Sequence, residues 1–276
     1  MTDDETVEML LTNRRQKAYY DVASGFGTQS ANNTITNLWR WLKIRALTAF
    51  DLAERAKSIE DLHLSWVGDI SRARVLDLGC SSGNALSVHL AQASKEYVAV
   101  DFSEVHLQNL QHRLNASGIR NATLKAVDFL STEFSDSEFD LIYARSVLHH
   151  FKHFEKLMDH LKLKLRPGGR IITYDPIQVW RPIKLARALV RPWQTDAEWE
   201  YPFDAAALRA IEARFVVLDR RGIWGRSKWA SIIGLVAPSY GSRFATSLHA
   251  ADMKNNTTPR SVRRCLQITY HLKRRD

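Results

Sequence analysis

The chain of 276 residues is 45% hydrophobic and 25% charged, a balance typical of globular proteins that excludes a disordered or fibrous one. Its two cysteines, Cys80 and Cys265, exclude a disulfide framework and favour a reducing compartment. The acidic first ten residues and the lack of an apolar run of about 20 residues predict neither a signal peptide nor a membrane span, so we expect a cytoplasmic protein.

The formal net charge of +9 is unevenly distributed. Residues 1–176 carry a net charge of −1, whereas residues 177–276 carry +10, from 18 Lys and Arg against 8 Asp and Glu. Such a one-sided field attracts an anionic substrate, a nucleic acid or an acidic membrane surface. A solvated basic face that only keeps the protein soluble explains it equally well. Charge alone therefore leaves the partner open.

Short apolar runs and helical patterns alternate through the middle of the chain. Residues 1–70 have mainly helical patterning and predict an N-terminal cap. Beyond it we expect a parallel sheet that is covered on both faces by helices. Its predicted elements are strand Arg74–Leu78, helix Asn84–Ala93, strand Tyr97–Asp101, helix Glu104–Asn115, strands Ala122–Val127 and Phe139–Tyr143, helix Phe154–Leu165, a stop at Arg166–Gly169 and strand Arg170–Tyr174.

The last hundred residues depart from this alternation. Residues 177–203 contain three prolines and three tryptophans, which predict a lid inserted over the substrate rather than a plain crossover. The elements predicted after the insertion are helix Ala205–Ala213, strand Phe215–Leu218, helix Lys228–Val236 and a long strand Val262–Leu272. We therefore expect one catalytic α/β domain over residues 71–276 with helical additions.

The strongest local signal is a strand that runs into a tight turn flanked by Gly79 and Gly83. Glycines let the backbone approach a ligand, which in an open parallel sheet lies beyond the carboxyl ends of the strands. Asp101 ends the next strand, 24 residues after Asp77, where a carboxylate can accept hydrogen bonds from both hydroxyls of a ribose. Asp77 would repel a pyrophosphate but attract an ammonium group. The pattern therefore indicates S-adenosylmethionine rather than a dinucleotide.

The sequence resembles the class I S-adenosylmethionine-dependent methyltransferases, in particular those of the small-molecule branch. The matching stretches follow the family's order over residues 73–176: VLDLGCSSGN, VAVDFS, AVDFL, FDLIYARSVLHHF and LRPGGRIITYD. The resemblance implies a doubly wound, seven-stranded, mostly parallel sheet of Rossmann-like fold with a helical cap and a lid insertion. It also implies S-adenosylmethionine as the cofactor, with S-adenosylhomocysteine as its product.

The resemblance further implies nine residues that bind the cofactor. They are Asp77 and Gly79 at the methionine end, Ser81 and Gly83 in the same turn, Asp101 at the ribose, Asp128 at the adenine amino group, Phe102 and Phe129 on either side of the adenine, and Ala144 at the start of the segment passing the methyl group. Ser81 stands where the family more often has glycine. Because its side chain is small, we expect cofactor binding to survive this departure.

A pair of histidines, His149 and His150, follows the fourth predicted strand, where the resemblance places it beside the methyl group and the acceptor. Histidine titrates near neutral pH and suits a general base for a hydroxyl group. Asp175 ends the fifth predicted strand and faces the same crevice. We therefore expect an oxygen acceptor, with His149 or His150 as catalytic base and Asp175 in support. The alternative is that the histidines only pack, because positioning alone supplies much of the rate.

The insertion and the basic region leave other functions open. Arg181, Lys184, Arg187 and Arg191 recur at helical spacing beside apolar residues, a pattern typical of a membrane surface, a large amphipathic ligand or a lid with a solvated side. Aromatic rings and carboxylates around Trp199 keep N-methylation open through cation–π contacts.

Three further alternatives are a C-methyltransferase, an RNA methyltransferase that uses the basic region, and a non-catalytic cofactor-binding subunit. We expect a small-molecule partner, anionic or amphipathic, with peripheral membrane contact as an option and no nucleic acid. The oligomeric state stays open. Neither His-Glu-x-x-His nor Cys-x-x-Cys spacing occurs, so we expect no metal site.

Overall fold

The computed structural model describes residues 52–193, 199–230 and 238–276, together with positions 34, 37, 38, 41 and 233. Most of the predicted cap therefore lies outside the described residues. The elements in chain order are helix α1 (Leu52–Val67), β1 (Arg74–Leu78), α2 (Ala85–Ala93), β2 (Glu96–Asp101), α3 (Glu104–Ala116), β3 (Ala122–Ala126), β4 (Phe139–Arg145), α4 (Phe154–Lys164), β5 (Leu165–Pro176), α5 (Arg181–Val190), α6 (Ala205–Arg214), β6 (Phe215–Ile223), α7 (Pro238–Asn255), α8 (Pro259–Val262) and β7 (Gln267–Arg274).

The seven strands form one sheet in the order β3-β2-β1-β4-β5-β7-β6. Strands β1 to β5 pair in parallel, and β7 runs antiparallel between β5 and β6. This confirms the predicted doubly wound, mostly parallel sheet. Strand β1 lies between β2 and β4, so the strand order reverses at β1. In open α/β sheets a ligand crevice forms at such a reversal, beyond the carboxyl ends of the strands.

Both faces of the sheet are buried. Successive side chains of each strand point to opposite faces, and each set belongs to a hydrophobic core. Leu76 and Leu78 belong to the core on one face, which also contains residues of α4 and α6. Val75 belongs to the core on the other face, together with Trp66 and Val67 of α1. Helix α1 therefore packs directly on the sheet. The domain boundary at residue 70 stays a prediction.

Capping side chains set the starts of three predicted helices. The side chains of Asn84, Ser103 and Asp204 accept hydrogen bonds from backbone N–H groups in the first turns of α2, α3 and α6. Such caps satisfy amides that have no partner within the helix. The predicted starts of these helices are confirmed to within one residue.

Three predicted boundaries differ from the structure by five residues each. Strand β7 begins at Gln267 rather than at Val262, because Val262 belongs to the short helix α8, whose start is fixed by a capping box of Thr258 and Ser261. Strand β5 begins at Leu165 and includes Arg166–Gly169, where its register against β4 shifts. Strand β6 runs five residues beyond the predicted end, as far as Ile223.

Two helical regions lie between β6 and α8. Helix α7 was not predicted at all. In the predicted helix Lys228–Val236, the residues Lys228–Ala230 and Ile233 are helical, and the rest lies outside the described residues. None of the helices in the described part of the chain has the length and apolar composition that crossing a membrane requires.

The first and last residues of the insertion, Ile177 and Phe203, lie next to each other. Ile177 and Phe203 form a parallel bridge, and the Gln178 N–H donates to the Phe203 carbonyl at 2.8 Å. Between these ends lie α5 and a short 3₁₀ turn, Arg191–Trp193, so the predicted cationic stretch is helical. Residues 194–198 of the insertion lie outside the described residues.

Candidate active site

A cavity of about 240 Å³ lies in the crevice beyond the carboxyl ends of β1, β2 and β4. We call one side of it the glycine wall, which consists of Gly79, Ser81, Asp101, Phe102 and Ser103. We call the other side the histidine wall, which consists of Ser146, Val147, His150 and Phe151. The remaining lining residues are Leu78, Val100, His106, Val127 and Phe129.

Gly79 joins the two walls. Its φ of +63° lies in the left-handed region, and a Cβ atom at this position would lie 2.3 Å from Val147 Cγ2. Only a residue without a side chain allows the turn after β1 to pack this closely on the loop after β4. Gly83 also has a positive φ, but its missing Cβ faces Leu110 of α3 rather than the cavity.

Asp101 is held by the backbone of the glycine wall. Its Oδ2 accepts a hydrogen bond from the Ser81 N–H at 2.8 Å, and its Oδ1 accepts one from the Ser103 N–H at 2.9 Å. His106 Nδ1 lies 3.9 Å from Asp101 Oδ1. The carboxylate is therefore fixed at the cavity surface, where an oxygen pair of this kind can accept hydrogen bonds from a diol.

Five of the nine predicted cofactor residues line the cavity: Gly79, Ser81, Asp101, Phe102 and Phe129. Asp77, Gly83, Asp128 and Ala144 are not among the lining residues. Ala144 is buried within β4, beside Leu78. The side chain of Asp128 accepts a hydrogen bond from the Leu130 N–H and so shapes the turn that carries Phe129.

Asp77 lies beneath the glycine wall. The carboxylate is buried, and its Oδ2 accepts a hydrogen bond from the Tyr97 hydroxyl at 2.6 Å. Burial raises the pKa of Asp77 to about 6, against the smaller opposing effect of the Tyr97 hydrogen bond. In this arrangement Asp77 supports the end of β1 from inside the protein.

The three predicted catalytic residues divide into a pair and a single residue. His149 Nδ1 lies 2.8 Å from Asp175 Oδ1, which also accepts the backbone N–H of His149 at 3.2 Å. Both residues of the pair are buried, and neither is among the cavity-lining residues. The pair therefore fixes the short 3₁₀ turn Leu148–His150 behind the histidine wall.

His150 is the member of the trio that reaches the cavity. Its Nδ1 lies 2.9 Å from the carbonyl oxygen of Trp199, which can only accept, so Nδ1 carries the proton and Nε2 carries the lone pair of the neutral ring. Burial and, to a lesser extent, the neighbouring His149 lower the pKa of His150 to about 3. The ring is therefore neutral at physiological pH.

The insertion completes the histidine wall from outside. Trp199, which bonds His150, is buried, and the N–H of Tyr201 donates to the carbonyl of His149 at 2.6 Å. Residues of the insertion thus hold both histidines through backbone groups.

Sequence reasoning missed several lining residues, above all His106, Ser146 and Phe151. The signal for His106 was its place in the first turn of the helix after Asp101, which begins at the same edge of the sheet. Ser146 and Val147 lie two and three residues after Ala144, in the predicted segment but further along it. Within the described residues, no group of three His, Cys, Asp or Glu side chains is placed to hold a metal ion.

Residues 70–208 match the model of a family described as a methyltransferase domain, just over half of the chain. The chain belongs to this methyltransferase domain family. A probable phthiotriol/phenolphthiotriol dimycocerosates methyltransferase 2 of Mycobacterium ulcerans is 30% identical over 53% of this chain and 50% of its own length. The trans-aconitate 2-methyltransferase of Variovorax paradoxus is also 30% identical, over 57% of this chain and 58% of its own length. The chain thus spans about half the length of the curated relatives it matches.

Solved structures share the fold. The N-methyltransferase NodS of Bradyrhizobium japonicum, crystallised in complex with S-adenosyl-L-homocysteine, superposes with a TM-score of 0.53 over 80% of this chain and 88% of its own. The two sequences are 14% identical. This likeness establishes the common architecture and confirms the fold that the sequence motifs predicted.

Proposed function

We propose that the chain transfers a methyl group from S-adenosylmethionine to an oxygen atom of a small or medium-sized organic acceptor. The observation that carries the proposal is His150, a neutral histidine on the cavity surface whose Nδ1 proton is bound by Trp199. Its Nε2 is thereby prepared to accept a proton. A hydroxyl acceptor is the group that most needs such a base.

The described residues fit S-adenosylmethionine by their chemistry. Asp101 presents oxygens to a ribose, and Phe102 and Phe129 offer apolar surface to an adenine ring. The open backbone at Gly79 and Ser81 suits the methionine end. When bound, the cofactor supplies a methyl group on a sulfonium, which is already activated for in-line displacement. The chain has to align the acceptor and remove its proton.

His150 would take the acceptor's proton on Nε2 during the transfer. Protonation adds a positive charge to His150 as methyl transfer removes one from the site, which limits the cost of charging a buried ring. Asp175 and His149 hold the turn that carries His150, and Trp199 and Tyr201 of the insertion bond the same turn. We therefore assign His150 as the catalytic base, with His149 and Asp175 as positioning residues.

Two observations support an anionic or amphipathic acceptor. Two curated relatives are named for phthiotriol/phenolphthiotriol dimycocerosates and for trans-aconitate, and the basic insertion suits an anionic or amphipathic molecule. N- and C-methylation remain the alternatives for the acceptor atom. A cytoplasmic location also remains part of the proposal.

The basic C-terminal region gives limited support to RNA as the acceptor. Arg214 pairs with Asp159 and Glu155, and Arg220 pairs with Glu212 at 2.6 Å. These cations are engaged with acids of the same chain, so less of the +10 charge is presented to an outside partner. These ion pairs therefore favour a small-molecule acceptor over RNA.

The test uses tritium-methyl-labelled S-adenosylmethionine, the purified full chain and extract of the source cell. Label in a solvent-extractable or small polar fraction supports the proposal, whereas label released by ribonuclease would overturn it. Binding of the cofactor with no transferred label in any fraction would favour the non-catalytic subunit.

The variant His150→Gln sharpens this test. We expect turnover to fall about 100-fold, the lower end for loss of a general base, with cofactor affinity unchanged. The control His112→Gln changes an exposed histidine of α3 and should leave turnover at the wild-type rate. Equal turnover of the His150→Gln and control variants would refute the assignment of the base.

A further inference from the structure

The insertion displays apolar side chains to solvent along one side of α5. Leu185 and Leu189 are each 63% exposed, and Trp193 in the following 3₁₀ turn is 56% exposed. Their spacing of four residues places them on one side of the helical segment. We call the surface formed by Leu185, Leu189 and Trp193 the lid face. Two leucines and a tryptophan in one exposed row form a patch of the kind that marks an interaction surface.

Aromatic residues continue the apolar surface at the start of α5. Trp180 and Trp229 are in edge-to-face contact with ring centroids 6.1 Å apart, and Trp229 is 50% exposed. The ammonium group of Lys228 lies 4.0 Å from the centroid of the Trp180 ring. Tryptophan and lysine in contact suit a boundary between an apolar medium and water.

Charge around the lid face is of one sign. Residues 177–193 contain four Lys and Arg and no Asp or Glu. Arg181, Lys184 and Arg191 are exposed beside the leucines. A row of leucines bordered by cations complements an anionic surface with an apolar interior. A nucleic acid would use the cations but gain little from exposed leucines.

We propose that the lid face docks on a lipid bilayer that contains anionic headgroups. Leu185, Leu189 and Trp193 enter the boundary between headgroups and acyl chains, and Arg181 and Lys184 contact lipid phosphates. The same insertion bonds His150 through Trp199, so docking would attach the segment that holds the histidine wall to the surface where an amphipathic acceptor is found. The docking itself does not depend on methyl transfer.

The test is sedimentation of the full chain with vesicles of neutral phosphatidylcholine, or of phosphatidylcholine with about 30% phosphatidylglycerol. We expect binding to the anionic vesicles that falls at least about tenfold between about 0.1 M and 0.5 M salt. The double variant Leu185→Gln/Leu189→Gln should lose at least about tenfold in binding, since it removes two apolar anchors. The control Leu163→Gln alters a leucine of α4 that is 70% exposed, and it should bind like the wild type.

The charge variant Arg181→Gln/Lys184→Gln should weaken binding to anionic vesicles about tenfold or more and leave the small affinity for neutral vesicles unchanged. Thermal unfolding and calorimetric cofactor affinity should be unaltered in all variants, which separates this proposal from the proposed function. Failure of the wild type to bind anionic vesicles would overturn the docking. Equal binding of the leucine variant and its control to anionic vesicles would also overturn it. So would binding of the wild type to RNA that is lost in the charge variant and kept in the leucine variant.

Discussion

The two walls of the cavity are built in different ways. In the glycine wall, Asp101 accepts hydrogen bonds from the backbone amides of Ser81 and Ser103, which lie 20 and 2 residues away. The positive φ of Gly79 sets the turn that carries Ser81. In the histidine wall, His149 is fixed by Asp175, 26 residues away, and His150 by Trp199, 49 residues away. One wall therefore depends on local backbone geometry, and the other on where a separate insertion packs.

This difference has a consequence for function. The glycine wall, whose carboxylate is held by backbone amides, leaves little freedom for substitution, and in the proposed reaction it faces a cofactor that does not vary. A wall held by an insertion can be altered without touching the cofactor side, so acceptor and cofactor preferences can change independently. Damage to one wall should therefore spare the function of the other.

The largest effect is expected at Gly79. In Gly79→Ala the new Cβ would meet Val147 at 2.3 Å in addition to the cost of a positive φ, so we expect a loss of about 3 kcal/mol in stability. Cofactor affinity should fall with it. The control Gly68→Ala has the same φ of +63° but nothing within 4 Å, and it should cost about 1 kcal/mol. Equal unfolding midpoints in urea for the two variants would contradict the close contact between the walls.

Asp101→Asn tests the glycine wall without a steric change. Loss of a charged acceptor toward the ribose should cost about 1.5 to 3 kcal/mol, which weakens S-adenosylmethionine binding about 10- to 100-fold in calorimetry. Turnover at saturating cofactor should stay near the wild-type rate, because the histidine wall is untouched. Glu104→Gln, an exposed acid three residues away, is the matched control. An affinity for Asp101→Asn equal to that of this control would remove Asp101 from the cofactor site.

The shifted pKa values of Asp77 and the buried His63 affect the pH dependence of stability in opposite directions. The pKa of His63 is lowered by burial to about 3, so as pH falls below about 6.5 the unfolded chain binds a proton that the folded chain does not, and stability is lost. The pKa of Asp77 is raised to about 6, so between pH 6 and 4 the folded chain binds a proton first, and stability is gained. The two effects oppose each other in this window.

Asp77→Asn removes the gain and keeps the hydrogen bond from Tyr97. We expect its free energy of unfolding to fall more steeply than that of the wild type between pH 6 and pH 4, by about 1 to 2 kcal/mol over the window. Urea titrations at each pH measure it. The exposed Asp61→Asn on α1 should follow the wild-type curve. If the free energy of unfolding of Asp77→Asn followed the same pH dependence as the wild type, burial would not raise the pKa of Asp77.

The two walls also differ in how far sequence could predict them. The glycine turn and Asp101 lie within 25 residues, and their residue types carry their geometry, so most of the glycine wall was predicted. Of the four residues of the histidine wall, His150 was predicted, but the division of roles between His150, His149 and Asp175 was not. Which histidine meets Asp175 depends on the short 3₁₀ turn and on Trp199, a contact between residues that no local pattern relates.

Local patterns also misled at the C-terminus. Alternating apolar residues predicted a strand from Val262, and the capping box at Thr258 overrode that pattern. Helix α7 was not predicted, because few of its residues follow a clear apolar period. Asp252 in α7 accepts hydrogen bonds from the N–H groups of Gly225, Arg226 and Ser227. Tertiary contacts of this kind are not visible in sequence.

The smallest effect is expected at Asp175, which acts on the histidine wall through His149. In Asp175→Asn the amide oxygen can take the place of Oδ1 and still accept from both the backbone N–H and the Nδ1 of His149, so the substitution removes the negative charge rather than the hydrogen bonds. The turn should stay folded, but a hydrogen bond to a neutral amide is weaker than one to a carboxylate, so the ring of His149 and the packing of His150 against it, with ring centroids 4.0 Å apart, should loosen. We expect kcat to fall about fivefold to tenfold, equivalent to about 1 kcal/mol, with calorimetric cofactor affinity within about twofold of wild type. A parallel loss of cofactor affinity would show that the two walls are coupled, contrary to the independence inferred from how each is held.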